Sequence, residues 1–473
     1  MYLQICKVLT RMIEQGQLPP RFKMPGSRSL ASELGVHRQT VVNAYDELVA
    51  QGLIEVKPFR GTFVAEEIPL IKPKALRKSE EVSLAPFPFK RFQYLRKSFL
   101  EPKNMLAIDE GLPDLRMSPI DDLRKSYNSL LAREYNRKYL SYDSPAGNSD
   151  LRLQISLYLK ETRGLKVRED QVLVTRGSQM GLYLASQLVI AQGDRVIVGA
   201  LNYQTADITL QHAGAQLIRA PVDEFGIDID FVEQECAKNT VKAIYVTSHH
   251  HHPTTATLTV ERRMHLLSLA YRHGFVIFED DYDYDFHYER SPLMPMASAD
   301  SSGHVVYMGG VSKIIAPGLR IGFLTGPPDF IEGATYLRRI VDRQGDMAME
   351  KVMAQFMASG DFQRHSKKAL KIYLQRRNLF VQYLGQFHDY FNFQIPSGGL
   401  AIWAGLTKDI PWSVLTHELA RRGVSVPNWE NYDREKTGHN YNRLGFASMN
   451  ESEMKTVFET LGESLYHLKP QTS

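Results

Sequence analysis

From Gln171 to Gly326 the chain repeats one pattern, a short apolar strand-like run followed by a helical stretch. The runs are QVLVT, DRVIVG, AQLIRAPV, KAIYVTS, FVIFED, HVVYMGG and RIGFLTG. Strands that alternate with helices predict an α/β fold, a mostly parallel sheet covered on both faces. Ligands of such sheets gather at the carboxyl ends of the strands. The residues just past each run are therefore the candidates for chemistry.

Three such places stand out. Thr175-Arg176-Gly177-Ser178-Gln179-Met180-Gly181 is a glycine-bearing turn between a strand and the helix GLYLASQLV. Free N–H groups and the positive dipole end make such a helix start suited to a phosphate. Phe278-Glu279-Asp280-Asp281-Tyr282-Asp283 follows FVIF, and its acids read either as metal ligands or as one carboxylate aimed at a protonated ring nitrogen. The third place, Gly309-Gly310-Val311-Ser312-Lys313 through Gly318-Leu319-Arg320, decides between them. A lysine past a strand end, beside a serine and shortly before an arginine, has the pattern of a Schiff-base lysine next to a bound phosphate.

At 473 residues the chain exceeds the roughly 250–300 at which single cores stop growing, so at least two folded units are expected. No segment reaches the roughly 18 uninterrupted apolar residues of a membrane span. MYLQICKVLTRMIEQG reads as a charged amphipathic helix with no cleavage site for secretion. Two cysteines, Cys6 and Cys236, make no disulfide framework and lack the company of a metal site, which points to a reducing cytoplasm. The net charge of +4 is small, but the basic excess is N-terminal. Residues 1–60 hold eight Lys and Arg against five acids, and residues 67–103 nine against four.

That basic end has its own pattern. Ile5, Val8, Leu9, Met12 and Ile13 recur at helical spacing before Gly16 and Pro19-Pro20. Ser27 is placed to cap a short helix through Leu30, Ala31 and Leu34, ended by Gly35, and a second helix over Thr40–Ala50 buries Val41, Ala44, Tyr45 and Leu48. Two short helices joined by a tight turn form the unit whose second helix enters the DNA major groove. Gly52–Val64 then alternates as a hairpin with Lys57 and Arg60 at its tip, a basic wing. The segment LPPRFKMPGSRSLASELGVHRQTVVNAYDELVAQGLIEVKPFRGTFV resembles the DNA-binding domain of the GntR superfamily. The resemblance implies that Arg28, Arg38 and Thr40 meet phosphates or base edges and that Arg60, Gly61 and Thr62 approach from the wing. His37, at the exposed start of the recognition helix, reads equally as a base contact or a solvated ring.

Residues 67–104, with their prolines and mixed charge, read as a linker between a head at 1–66 and a body at 105–473. The stretch holding Phe87, Phe89, Phe92 and Tyr94 reads as an arm of the body. GLPD at Gly111, Tyr142-Asp143, Arg163-Gly164, RGSQMGL, FEDDYDYDF, GGVSKIIAPGLRIGF and NRLGFA resemble fold-type I aminotransferases. With the head in front, the order of domains resembles the MocR/GabR regulators over nearly the whole chain. The resemblance implies a large subdomain over about 105–360 and a smaller C-terminal α+β subdomain over about 361–473. Its cofactor is pyridoxal 5'-phosphate, and its partners are a DNA operator, an amino compound and a second copy of the chain in a head-to-tail homodimer.

By the same resemblance Lys313 forms the Schiff base, Asp280 pairs with the ring nitrogen and Tyr282 donates to the ring oxygen. Ser178, Gln179, Ser312 and Arg320 hold the phosphate. Tyr203 takes the position of ring cover, though it reads equally as core, and Arg443 stands where a substrate carboxylate is clamped. Three departures from the family pattern limit this. Gly310 replaces a hydroxyl residue, Ala200-Leu201-Asn202-Tyr203 replaces Glu-Pro-Gly-Tyr, and His249-His250-His251-His252 replaces most of Ser-His-Gln-x. Four consecutive rings in an extended segment alternate in direction and do not converge on one ion, so no metal is expected. The function implied is a regulator that senses an amino compound through an external aldimine. The rival is a working aminotransferase with a vestigial head, and physiological turnover stays open.

Overall fold

The computed structural model describes residues 1–68, 85, 87–95, 106–289, 292–407, 410–433, 435–436 and 438–468. It divides into two compact units, Met1–Arg91 and Phe92–Ser473. Most of the expected linker lies outside the described residues.

In the first unit, helices α1 (Tyr2–Glu14), α2 (Ser27–Glu33) and α3 (Arg38–Ala50) precede a hairpin of β1 (Ile54–Lys57) and β2 (Gly61–Val64). The hairpin is antiparallel, with Ile54 opposite Val64 and Lys57 opposite Gly61. Leu9, Ile13, Leu30, Ala31, Val41, Ala44, Tyr45, Leu48 and Ile54 form its core with Cys6, whose thiol donates to the Ala44 carbonyl at 3.3 Å. Val8 and Leu34, expected on buried faces, are exposed. The helix starts also differ from expectation. Gly26 is the cap of α2, so Ser27 is already helical, and its hydroxyl accepts from Arg38 Nε at 3.4 Å. Helix α3 begins at Arg38 because the His37 ring caps it, Nδ1 accepting the Gln39 N–H at 3.3 Å.

In the second unit each of the seven apolar runs contributes a strand of one sheet. The strands are β3 (Val172–Thr175), β4 (Arg195–Gly199), β5 (Gln216–Ala220), β6 (Val241–Val246), β7 (Val276–Asp281), β8 (Val305–Gly310) and β9 (Gly322–Thr325). Their order is β3-β9-β8-β7-β6-β4-β5. Strands β8, β7, β6, β4 and β5 are parallel neighbours, whereas β9 is antiparallel to both β8 and β3. The connection 311–321 accounts for that reversal: it holds one 3-10 turn, Pro317–Leu319, and no helix long enough for a parallel crossover.

Alternate side chains feed two cores. Val172, Val174 and Ile277 face one, and Leu173, Val196, Val198 and Phe278 the other. A side chain such as Phe278, fully enclosed, contributes enough that its truncation to alanine would cost about 3–5 kcal/mol. Toward the C-terminus an antiparallel sheet of β10 (Phe391–Phe393), β11 (Ala401–Leu406) and β12 (Tyr441–Gly445) packs with the helices Asp361–Gly385 and Glu451–Leu468. Phe380 and Phe458 of those helices meet with ring centroids 4.9 Å apart. Phe92 and Tyr94 rest on His212, the Tyr94 hydroxyl 3.2 Å from its Nδ1. Among the described residues no helix is long and apolar enough to cross a membrane.

Candidate functional site

Loops leaving the carboxyl edge of the large sheet meet around a cavity of about 270 Å³. Ser178, Gln179, Tyr203, Asp280, Tyr282, Ser312, Lys313 and Arg320 all line it. The sheet brings them together because each lies at or near a strand terminus: Ser178 after β3, Tyr203 after β4, Asp280 near the end of β7, Lys313 after β8 and Arg320 before β9.

Of the acids at 280, 281 and 283, only Asp280 reaches the cavity wall. Asp281 accepts from the Tyr307 hydroxyl and lies 3.4 Å from His249 Nδ1 and 3.8 Å from Arg163 Nε. Burial alone would raise its pKa, but His249, Arg163 and Tyr307 hold it well below the usual carboxylate range. Asp283 pairs with His250 Nδ1 at 2.8 Å. Asp280 differs. Its Oδ2 accepts the Tyr245 hydroxyl at 3.1 Å, while its Oδ1 is buried without a partner. Burial raises its pKa to about 7, against the pull of the Tyr245 and Ser178 hydroxyls and with the help of Asp281 and Asp283. An enclosed carboxylate oxygen with no donor is costly unless something completes it.

Helix α4 (Ser178–Val189) starts at the same cavity with no side-chain cap. Gly177 precedes it at φ +82, and a Cβ there would sit 3.0 Å from Arg320 Nη2. Glycine is thus required twice, for the left-handed backbone and for the close approach of the guanidinium. Uncapped N–H groups beside an arginine make an anion seat. Lys313, also on the cavity lining, donates from Nζ to the Gly111 carbonyl at 2.7 Å. Burial and Arg443 lower its pKa while Asp109 and Asp283 oppose them, which favours the neutral, nucleophilic amine.

Tyr282 donates its hydroxyl proton to the His250 carbonyl at 2.8 Å and accepts from Arg443 Nη2 at 3.3 Å. Burial pushes its pKa far above the ordinary tyrosine value. Tyr203 meets the His252 ring edge-on at 5.0 Å. Arg443, on β12, is buried and not part of the cavity wall. Its Nε donates to the Glu110 carbonyl at 2.9 Å and its Nη1 to the Pro253 carbonyl at 3.0 Å.

Sequence reasoning missed Glu110, Tyr245, Thr247 and His252, which also line the cavity. Tyr245 near the end of β6 and Thr247 just past it stand two apart, so period-two alternation could have paired them on one face. Glu110 carried a signal in its place beside Gly111. The four histidines go separate ways: His249 to Asp281, His250 to Asp283, His251 Nδ1 to Thr254 Oγ1 at 3.1 Å, and His252 to the cavity. Among the described residues no group of three or more His, Cys, Asp or Glu is disposed to hold a metal ion.

In the N-terminal unit Arg28 on α2, His37 and Arg38 at the start of α3, and Arg60 and Gly61 at the hairpin tip are exposed, with Thr40 and Thr62 half-buried beside them. Because His37 Nδ1 caps α3, only its Nε2 edge is free to face outward.

The chain matches the family described as "Aminotransferase class I and II" over residues 106–461 and that described as "Bacterial regulatory proteins, gntR family" over residues 1–64. It is 27% identical to the probable rhizopine catabolism regulatory protein MocR of Rhizobium meliloti, covering 99% of this chain and 94% of that protein. It is 30% identical to the HTH-type transcriptional regulator TauR of Rhodobacter capsulatus, covering 93% of this chain and 92% of that one. Among solved structures, the kynurenine aminotransferase of Pyrococcus horikoshii aligns with a TM-score of 0.72 at 26% identity, over 78% of this chain and 92% of that one.

Proposed function

We infer that this chain, which belongs to the MocR/GabR family and joins a gntR-type head to an aminotransferase class I and II body, is a DNA-binding transcriptional regulator that uses pyridoxal 5'-phosphate to sense an amino compound. One observation carries this reading. Asp280, Lys313 and Arg320 surround a single cavity in a chain whose first 64 residues match gntR regulators.

The residues fit the coenzyme. The unpartnered Oδ1 of Asp280 is an acceptor for a ring N–H, and the open start of α4 with Gln179, Ser312 and Arg320 suits a phosphate. When bound, the coenzyme supplies an electrophilic aldehyde carbon and an electron-withdrawing ring. The chain's own groups do the rest. Lys313 offers a buried amine, Asp280 as a carboxylate would accept a hydrogen bond from the ring N–H, and Tyr203 and His252 close one wall against water. Tyr282 is held in place by Arg443 and can turn its hydroxyl proton from the His250 carbonyl toward the cavity. Arg443 keeps guanidinium donors beyond those engaged by Glu110, Pro253 and Tyr282, and we assign it the carboxylate of an effector.

In the head, Arg28, Arg38, Thr40, Arg60, Gly61 and Thr62 serve DNA, with His37 at the edge of a base. The chain works in the cytoplasm as a homodimer with exchanged heads, which would present two recognition helices to paired half-sites. An effector regulates it only by binding one arrangement of the heads better than the other.

Incubation of the purified protein with a panel of amino compounds and an oxo-acid acceptor, beside DNA selection from a random duplex pool, tests the reading. Selection of a defined duplex and an effector-dependent change in its affinity are expected; sustained turnover with no duplex selected would establish the aminotransferase instead. Lys313→Ala should lose the absorbance band of the lysine-bound coenzyme. Its persistence would remove Lys313 from the site.

A further inference from the structure

The hairpin of the head ends in a turn whose residues run against its geometry. The Arg60 N–H donates to the Lys57 carbonyl at 3.0 Å across Pro58 and Phe59, and Phe59 stands at φ +61. Proline second and a left-handed residue third is the pattern of a type II turn, whose third place calls for glycine or asparagine. An aromatic side chain there is strained.

The ring gains nothing from the head in return. Its relative exposure is 110%, against 63% for Val56 on the same hairpin. The nearby Phe63 is covered by the Lys57 ammonium, 5.5 Å from its centroid, and Phe59 has no ring or cation contact of this kind among the described residues. Scattered exposed apolar residues are ordinary. One held in a strained backbone at the outermost point of a basic hairpin, where glycine would serve the turn better, is not. Local rules broken without structural return mark places where function is served. The tip is also basic and open. Arg60 is exposed beside Phe59, Lys23 bridges to the same hairpin at Phe63, and Gly61 at φ +110 has only the Lys23 side chain near its absent Cβ, at 3.5 Å.

We propose that Phe59 is a wedge that enters the DNA base stack from the minor groove, beside the major-groove segment taken by α3, while Arg60 and Lys23 hold the flanking phosphates. Apolar wedges at the tips of basic elements unstack base steps in this way and kink the duplex. The wedge rests on the DNA-binding reading above.

The test uses the full-length protein and a duplex it selects from a random-sequence pool, remade with a fluorescent purine analogue at successive positions. Wild type should raise the fluorescence at one step outside the segment covered by α3. Phe59→Gly should abolish that rise and weaken binding about tenfold or more, the scale of a lost base-to-aromatic contact. Its Tm should hold or rise as the strain is relieved, and its salt slope should match wild type because no phosphate contact is lost. Phe59→Leu, still an apolar wedge, should keep most of the fluorescence change. Phe59→Gly binding within about twofold of wild type with the fluorescence rise intact overturns the wedge alone. So does a Phe59→Gly protein that loses its oligomeric state on sedimentation yet binds DNA unchanged, which assigns the ring to a protein contact. If wild type selects no duplex, the DNA-binding reading and the wedge fall together.

Discussion

With its pKa raised by burial from 3.8 to about 7, Asp280 of the coenzyme-free chain keeps a proton over a range where the unfolded chain has released it. The folded state then binds more protons than the unfolded, so stability falls as pH rises from about 4 to about 7, on the order of a few kcal/mol from this group. A ring N–H donating to Oδ1 would reverse the penalty. The Tm gained on adding pyridoxal 5'-phosphate should therefore grow between those pH values in wild type, and Asp280→Asn, which does not ionise, should flatten the dependence. Thermal scans of both proteins with and without coenzyme check it; equal gains at both ends of the range in wild type would contradict the role. That Lys313, Asp280 and Arg320 share one cavity was legible because each sits at or near a strand terminus with chemistry that a core does not use. Tyr245, which holds Asp280, was not. A tyrosine inside an apolar run reads as core, and its polar end matters only once the sheet sets β6 beside β7.

At the scale of elements, the connection leaving β6 carries the four histidines into the interior. Burial lowers His251 to about 3, with Arg443 adding to it, and lowers His252 well below 6.5, with Arg443, His251 and Lys313 adding. His287 is lowered to about 3 by burial and by His250 and His249. Each ring is neutral when folded and protonated when unfolded, so its contribution to stability is intact above pH 6.5 and is lost as pH falls toward 3. Three such groups together steepen the loss by up to about 4 kcal/mol per pH unit. Denaturant titrations at successive pH values should show this slope, and His251→Gln should reduce it by about a third. A slope unchanged by the substitution would mean that His251 titrates in the folded chain. The separate partners of the four histidines were not readable from extended geometry, since the segment bends at His249 and His250 and turns from His252, and the His249 and His250 rings both approach His287. The seven strands were readable, because apolar runs between helices have few other homes. The reversed direction of β9 was not, since it depends on how little chain the 311–321 connection offers. Helix starts were misplaced by one or two residues, because His37 capping α3 through its ring competes with serine and threonine, which sequence rules favour.

For the whole molecule, which divides into the units Met1–Arg91 and Phe92–Ser473, the proposed function turns on linkage between effector and DNA. If an amino compound at Lys313 changes the affinity for DNA by some factor, DNA must change the affinity for that compound by the same factor, because both paths connect the same four states. Couplings of this kind commonly fall between about 5-fold and 150-fold. Two titrations on the full-length protein measure it. In one, the selected duplex is titrated with and without saturating effector; in the other, the effector is titrated, followed by the coenzyme absorbance, with and without saturating duplex. Equal factors above about 5 are the expected result. A working aminotransferase with an idle head predicts a factor of one in both, even if the two ligands bind tightly, since a ligand that does not distinguish two arrangements shifts neither. Lys313→Ala sharpens the comparison: it should remove the coupling while leaving the duplex affinity of the effector-free state near that of wild type, because the residues we assign to DNA lie on α2, α3 and the wing and include no residue of the cavity.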